Sequence, residues 1–246
     1  MYTGVNALRL FRRTFARTML EVDYRWFIIL LVSVFVTFVI KFILKYTYTA
    51  YSHKYSKKVI SGSEAAKAVL IQGSVFGVNV VKVSGELTDH YDARSMEIRL
   101  SESVYENTSI AAIAVSCHEA AHALQHAYGS SLFKARFVAA QAVEIISALT
   151  APVLLLGFIF GVFQLIYAGV IMYGVAVVFN IITLPLEIFA SKKAIEKIEV
   201  CNILSKEEIK GAKKVLAACA LTYVASLATS FLYMFRFIAL SRENKR

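Results

Sequence analysis

Long stretches of this 246-residue chain lack charge altogether. Ile145 to Leu186 contains no Asp, Glu, Lys or Arg, and neither does Val215 to Phe235; Trp26 to Leu44 contains Lys41 alone. Together with an apolar share of 58%, against the about 45–50% usual for soluble proteins, these gaps exclude an ordinary soluble domain. Cysteine is scarce too. Cys117, Cys201 and Cys219 form no close pair and are odd in number, which excludes a disulfide framework. Cys117 adjoins His118, but neighbours on a helix point about 100° apart, so it reads as a small buried residue. After the first apolar run comes Lys45-Tyr46-Thr47-Tyr48 with no small-x-small cleavage site; the run reads as an uncleaved anchor rather than a signal peptide. Despite the net charge of +10 there is no basic platform interleaved with aromatics. The lysines Lys57-Lys58, Lys192-Lys193 and Lys213-Lys214 flank apolar runs instead, so a lipid bilayer is expected and no nucleic acid. No internal repeat or low-complexity tract is present.

The charge-free runs are long enough to cross a membrane, since a hydrocarbon core of about 30 Å needs roughly 20 helical residues. The run from 145 to 186 would extend about 63 Å as one helix, so it must fold back near Gly157 to Gln164. Four transmembrane helices result. The expected organisation is a basic extension (1–25, with Arg9, Arg12, Arg13, Arg17 and Arg25), a first span (26–44), a polar catalytic region (46–144), two spans (145–186), a polar helix (187–214) and a fourth span (215–240). Two polar pieces separated by a span hairpin emerge on one side of the membrane.

Within the first polar piece, Ser61-Gly62-Ser63-Glu64 has capping-box spacing and starts a helix to about Ile71. Residues 78–83, "VNVVKV", and 96–100, "MEIRL", read as strands, with a turn-rich connection between them. A helix begins near Asn107-Thr108-Ser109 and closes at Gly129. The fold class is therefore mostly α and integral to the membrane: about four transmembrane helices plus a small zincin-like α+β catalytic portion with a short strand pair.

Three of the five histidines fall within "SCHEAAHALQHA", residues 116–127. His118-Glu119-Ala120-Ala121-His122 is H-E-x-x-H. Residues four apart share a helix face, so both imidazoles reach one ion, and zinc suits them. Glu119, beside the first ligand, is placed to act as general base on a zinc-activated water and to return the proton to the leaving amine. A catalytic zinc needs a third protein ligand. His126 continues the same face, but it stands two turns from His118, about 12 Å along the axis. Without a break in Ala123-Leu124-Gln125 it reads as an outer or surface residue. Glu187, a lone carboxylate after Pro185 at the foot of an apolar run, is the favoured candidate. The alternative is a helix N-terminal carboxylate stabilised by the dipole. Pro185 is expected to start a new helix.

The stretches "LTDHYD" (87–92), "IRLSESVY" (98–105), "SIAAIAVSCHEAAHALQHA" (109–127), "TLPLEIFASKKA" (183–194) and "GAKKVLAACALTYVA" (211–225) together resemble the YugP-type membrane zinc metallopeptidases, from about residue 54 to 240. The resemblance implies a membrane zinc peptidase with His118 and His122 as zinc ligands and Glu119 as base. Glu187 is implied as third ligand by similarity to the E-x-x-A-[SD] pattern of the more distant HtpX-type and prenyl-protein peptidases. Where those peptidases often carry aspartate, this chain has Ser191, whose hydroxyl orients a ligand histidine more weakly than a carboxylate.

Among the remaining polar residues, His90 or Tyr91 is a candidate oxyanion donor. The competing reading, slightly favoured, is a loop held by the side chains of Asp89 and Asp92. Residues 96–100 are a candidate edge strand for a substrate peptide to extend. Tyr223, in the last apolar run, reads as packing. The expected function is a membrane-embedded, gluzincin-like zinc endopeptidase with one Zn2+ per chain, acting on a peptide or protein substrate that includes membrane-associated ones. A membrane metal transporter or metal-binding protein is the alternative, and a non-catalytic scaffold is a further one. A multi-pass protein of the cell membrane is expected. Its orientation is left open, because basic residues nearly balance across the spans.

Overall fold

The computed structural model describes residues 24–243, so the expected basic extension lies, up to residue 23, outside the described residues. The described chain is mostly helical: α1 (Tyr24–Ser52), α2 (Gly62–Gln72), β1 (Asn79–Val83), β2 (His90–Asp92), β3 (Glu97–Ser101), α3 (Glu102–Tyr105), α4 (Ile110–Ala127), α5 (Ser131–Phe160), α6 (Phe163–Val200) and α7 (Lys206–Glu243). Among the described residues, four stretches are long and apolar enough to cross a membrane: Leu31–Ser52, Ser131–Gly157, Gln164–Val200 and Lys206–Phe235. This is a mostly-α membrane protein with a small sheet.

The chain forms two compact units. One comprises Ala142–Val178 with the described parts of Met1–Phe38 and Ala228–Arg246. Its hairpin turn falls at 161–162, within the expected interval, and Gly161 takes the left-handed φ of 65° that the turn requires. Close helix contact depends on glycine here as well: a Cβ on Gly169 would come within 2.5 Å of Leu154.

The other unit, Val39–Gln141 with Phe179–Leu227, holds the sheet and the histidine helix. Ser61 caps α2, and the reciprocal bonds with Glu64 complete the expected capping box. Ser109 caps α4, its hydroxyl accepting from the Ala112 amide, and Gly129 follows the helix end with a φ of 71°. The inner face of α4 is built from small residues. Ala111, Ala114, Cys117, Ala120 and Ala121 are all fully buried, in one core with Val69 of α2, Ile98 and Leu100 of β3, and Ala190 and Ala194 of α6. Small side chains let these backbones approach closely, which fixes α4 as a rigid seat. Gly73 shows the same economy: a Cβ there would lie 2.3 Å from Leu124.

Two local expectations are corrected. The strand pair is a three-stranded sheet in the order β1-β3-β2, with β1 parallel and β2 antiparallel to β3. Residues 97–101 are therefore central, with neighbours on both sides, and cannot take a substrate as an edge. The three-residue β2 lay hidden in the turn-rich "LTDHYD". Nor does a helix start after Pro185. Helix α6 runs through it without interruption, because a proline removes only one backbone donor and clashes locally, whereas packing on both sides of residue 185 holds the helix together.

Because Tyr128 and Lys193 belong to one unit, cysteines placed at these two positions should react with an impermeant thiol reagent from the same membrane face. Labelling from opposite faces would break the four-span arrangement.

Candidate metal centre

Helix α4 presents His118 and His122 one turn apart, with ring centroids 4.8 Å apart and nearly perpendicular at 84°. From α6, Glu187 enters between them. Its Oε2 lies 3.2 Å from His118 Nε2 and 3.5 Å from His122 Nε2. The three ligand atoms all lie within 4.8 Å of one another, and among the described residues they form the one His/Cys/Asp/Glu group able to hold a metal ion. Tetrahedral zinc with bonds of about 2.0–2.2 Å has ligand–ligand edges of roughly 3.3–3.6 Å. The two carboxylate–imidazole separations lie close to those edges, so the donor set and its spacing fit a zinc ion.

Each of the three is held from outside the cluster. His122 Nδ1 lies 2.9 Å from Gln125 Oε1, while Gln125 Nε2 donates to the Leu186 carbonyl at 3.2 Å. The amide therefore faces its oxygen to the imidazole. Nδ1 carries the proton, and Nε2 turns a lone pair to the cluster, the tautomer a metal ligand needs. Ser191 Oγ lies 3.3 Å from His118 Nδ1; the hydroxyl stands where the related pattern often has a carboxylate. Arg136 Nη1 meets Glu187 Oε1 at 3.4 Å, so the carboxylate gives one oxygen to the histidines and the other to a guanidinium.

Glu119 faces a cavity of about 330 Å³ that it shares with His118, His122, Arg136, Glu187 and Tyr223. The Tyr91 amide of β2 donates to its Oε2 at 2.9 Å, which leaves Oε1 for other work. Burial raises the Glu119 carboxyl to about 7, with the neighbouring His118 pulling the other way; a cation in the cluster adds to that downward pull.

The other candidates separate cleanly. His126 is not in the cluster. Its Nδ1 meets the Tyr91 hydroxyl at 2.9 Å and its ring stacks on Phe133 at 5.1 Å, making it part of an aromatic wall. His90 is exposed and donates from Nδ1 to the Thr88 carbonyl at 2.7 Å. The aspartates hold the loop: Asp89 accepts from the Ser101 amide at 2.8 Å and Asp92 from the Arg94 amide at 2.9 Å. Burial raises the Asp89 carboxyl above its usual range, although the Ser101 bonds oppose the shift. Sequence reasoning passed over Gln125 and Arg136. The only signal for Gln125 was its place three residues after His122. For Arg136 it was a charge among the aromatics Phe133 and Phe137.

A family model described as "Putative neutral zinc metallopeptidase" matches residues 26–242. The "Putative membrane protease YugP" of Bacillus subtilis (strain 168) is 37% identical over 200 residues, covering 80% of this chain and 88% of that protein. No solved structure matches.

The cluster predicts distinct metal phenotypes. Glu187→Ala should sharply lower the zinc content of the purified protein, measured by elemental analysis, whereas His126→Ala should retain most of the metal. Retention by the first and loss by the second would reverse the ligand assignment.

Proposed function

The chain belongs to the neutral zinc metallopeptidase family, and from that membership and the cluster geometry we propose that it is a membrane-embedded zinc endopeptidase, with His118, His122 and Glu187 holding one ion and Glu119 acting as general base. The single observation that carries this reading is the placement of Glu187 Oε2 at 3.2 and 3.5 Å from the two imidazole Nε2 atoms, beside a carboxylate whose free oxygen borders a cavity. A zinc ion bound there supplies Lewis acidity, polarising a peptide carbonyl and making water more acidic.

The chain's own residues do the rest. The Tyr91 amide fixes one oxygen of Glu119, and the other takes a proton from the attacking water. The water oxygen bonds to the carbonyl carbon as the carbonyl π pair moves to oxygen. When that pair returns, the C–N pair leaves with nitrogen, which receives the proton Glu119 had stored. A carboxyl that is neither strongly acidic nor permanently neutral suits this two-way traffic, and the burial of Glu119 moves it in that direction. Gln125 and Ser191 keep both imidazoles oriented throughout. The aromatic wall of Phe133, Phe137 and Phe179 lines the same cavity and shelters the reaction from bulk water. The general base also separates this reading from metal transport, since a carrier site has no use for a carboxylate tethered beside its ligands.

Glu119→Gln tests the assignment. Zinc should remain bound while hydrolysis of a peptide substrate falls by roughly 10²–10⁴, the usual worth of a general base. Unchanged turnover in that variant would remove Glu119 from the role.

A further inference from the structure

When water adds to a peptide carbonyl, negative charge gathers on the former carbonyl oxygen, and donors aimed at that position contribute a large share of catalysis. The cavity beside the cluster contains few side chains able to donate: His118, His122, His90, Tyr91, Arg136 and Tyr223. Four are already committed. His118 and His122 direct Nε2 to the cluster and engage Ser191 and Gln125 through Nδ1. His90 must carry its proton on Nδ1, because its partner there is the Thr88 carbonyl; its Nε2 is then an acceptor in the neutral ring. The Tyr91 hydroxyl lies between His126 Nδ1 at 2.9 Å and Met96 Sδ at 3.3 Å, and its amide is spent on Glu119. Arg136 spends Nη1 on Glu187 Oε1 and keeps its other N–H groups, which makes it a second candidate donor.

Tyr223 differs. It comes from α7, borders the cavity, and lies within electrostatic reach of Glu187, Arg136 and Glu119. Its side chain is half-buried, and its hydroxyl makes no hydrogen bond found among the described residues. A phenol withdrawn from water usually finds a partner; the cavity that Tyr223 lines is where a substrate oxygen could supply one.

We propose that Tyr223 is a catalytic residue whose phenolic O–H donates a hydrogen bond to the oxyanion formed from the substrate's carbonyl oxygen. The inference rests on the peptidase reading above. The phenol keeps its proton throughout. The carbonyl π pair moves to oxygen as the water oxygen bonds to carbon, the hydrogen bond strengthens on that charge, and it relaxes when the pair returns and the C–N bond breaks toward nitrogen. The ground-state carbonyl, being less charged, gains less from the same donor, so the contribution falls on turnover rather than on substrate binding.

Tyr223→Phe removes only the hydroxyl and preserves the ring that packs in α7. In the purified full-length protein, zinc content and KM should stay close to wild type while kcat falls roughly 10²–10³-fold, the scale set by loss of one oxyanion donor. A second readout does not need turnover. A phosphonamidate peptide, whose tetrahedral phosphoryl oxygens imitate the oxyanion, should bind the variant more weakly by a similar factor, whereas 1,10-phenanthroline should strip metal from both proteins alike. An unchanged kcat with unchanged phosphonamidate affinity overturns the inference. So does a kcat loss matched by loss of zinc, which marks a structural role. A wild-type protein that neither holds zinc nor cleaves peptides overturns the peptidase reading itself, a result distinct from an active wild type matched by an equally active Tyr223→Phe.

Discussion

The structure turns on one buried carboxylate. Glu187 is only 3% exposed, and an ionised carboxylate removed from water without partners is costly, with loss of a buried pair's partner worth about 3–5 kcal/mol. Arg136 answers its charge at Oε1, and the two imidazole nitrogens facing Oε2 complete with it a cluster suited to a cation. These partners come from α4 and α5, long before Glu187 of α6 in sequence. The pairing therefore joins α4, α5 and α6 at one point and sets the rotation of each about its own axis. A helix turned by one residue would carry its group about 100° away. The same requirement explains the alanine face of α4: two helices can share an ion-sized cluster only if their backbones approach closely, and the fully buried Ala120, Ala121 and Ala190 permit that approach.

How far the sequence reveals this arrangement depends on the range of the interaction. Features governed by neighbours were legible. The capping box at Ser61 and Glu64, the Ser109 cap, the Gly129 terminator and the charge-free runs all follow from groups within a turn or two of each other. The H-E-x-x-H pair is of the same kind, because four residues is one helical turn. Glu187 was within reach because an isolated carboxylate at the edge of an apolar run needs a reason to be there, and because counting spans brings it back to the histidines.

What was not legible depends on tertiary contact. Gln125 looks like any polar residue late in a helix until α6 arrives to offer the Leu186 carbonyl. Arg136 looks like a basic flank of a span until Glu187 is opposite it. Tyr223 looks like packing until its hydroxyl is seen to lack a hydrogen-bond partner among the described residues. The two misread local features have the same origin. β2 is only three residues long and too short to show alternation, so it exists by pairing with β3. Pro185 carries a local helix-start signal, but contacts on both sides of it outweigh the one missing donor and the helix runs through.

The continuity of α6 through Pro185 matters for the site. Had a new helix begun there, Glu187 would stand in a first turn, where ends fray and side chains have latitude. Instead it projects from a helix interior, and Ser191, one turn later on the same face, reaches His118. One helix thus supplies both a cluster oxygen and the group that orients an opposing imidazole. In return α4 supplies Gln125, which orients His122 and grips the α6 backbone at Leu186, the residue before Glu187. Each helix thereby orients or anchors a group contributed by the other, so the positions of the three cluster residues are coupled. Sites mounted on regular elements with interlocked outer contacts keep their geometry better than sites on loops. On the opposite wall the short β2 presents its Tyr91 amide to Glu119. Glu119 is thus the one member of the site held by a three-residue strand at the edge of a sheet.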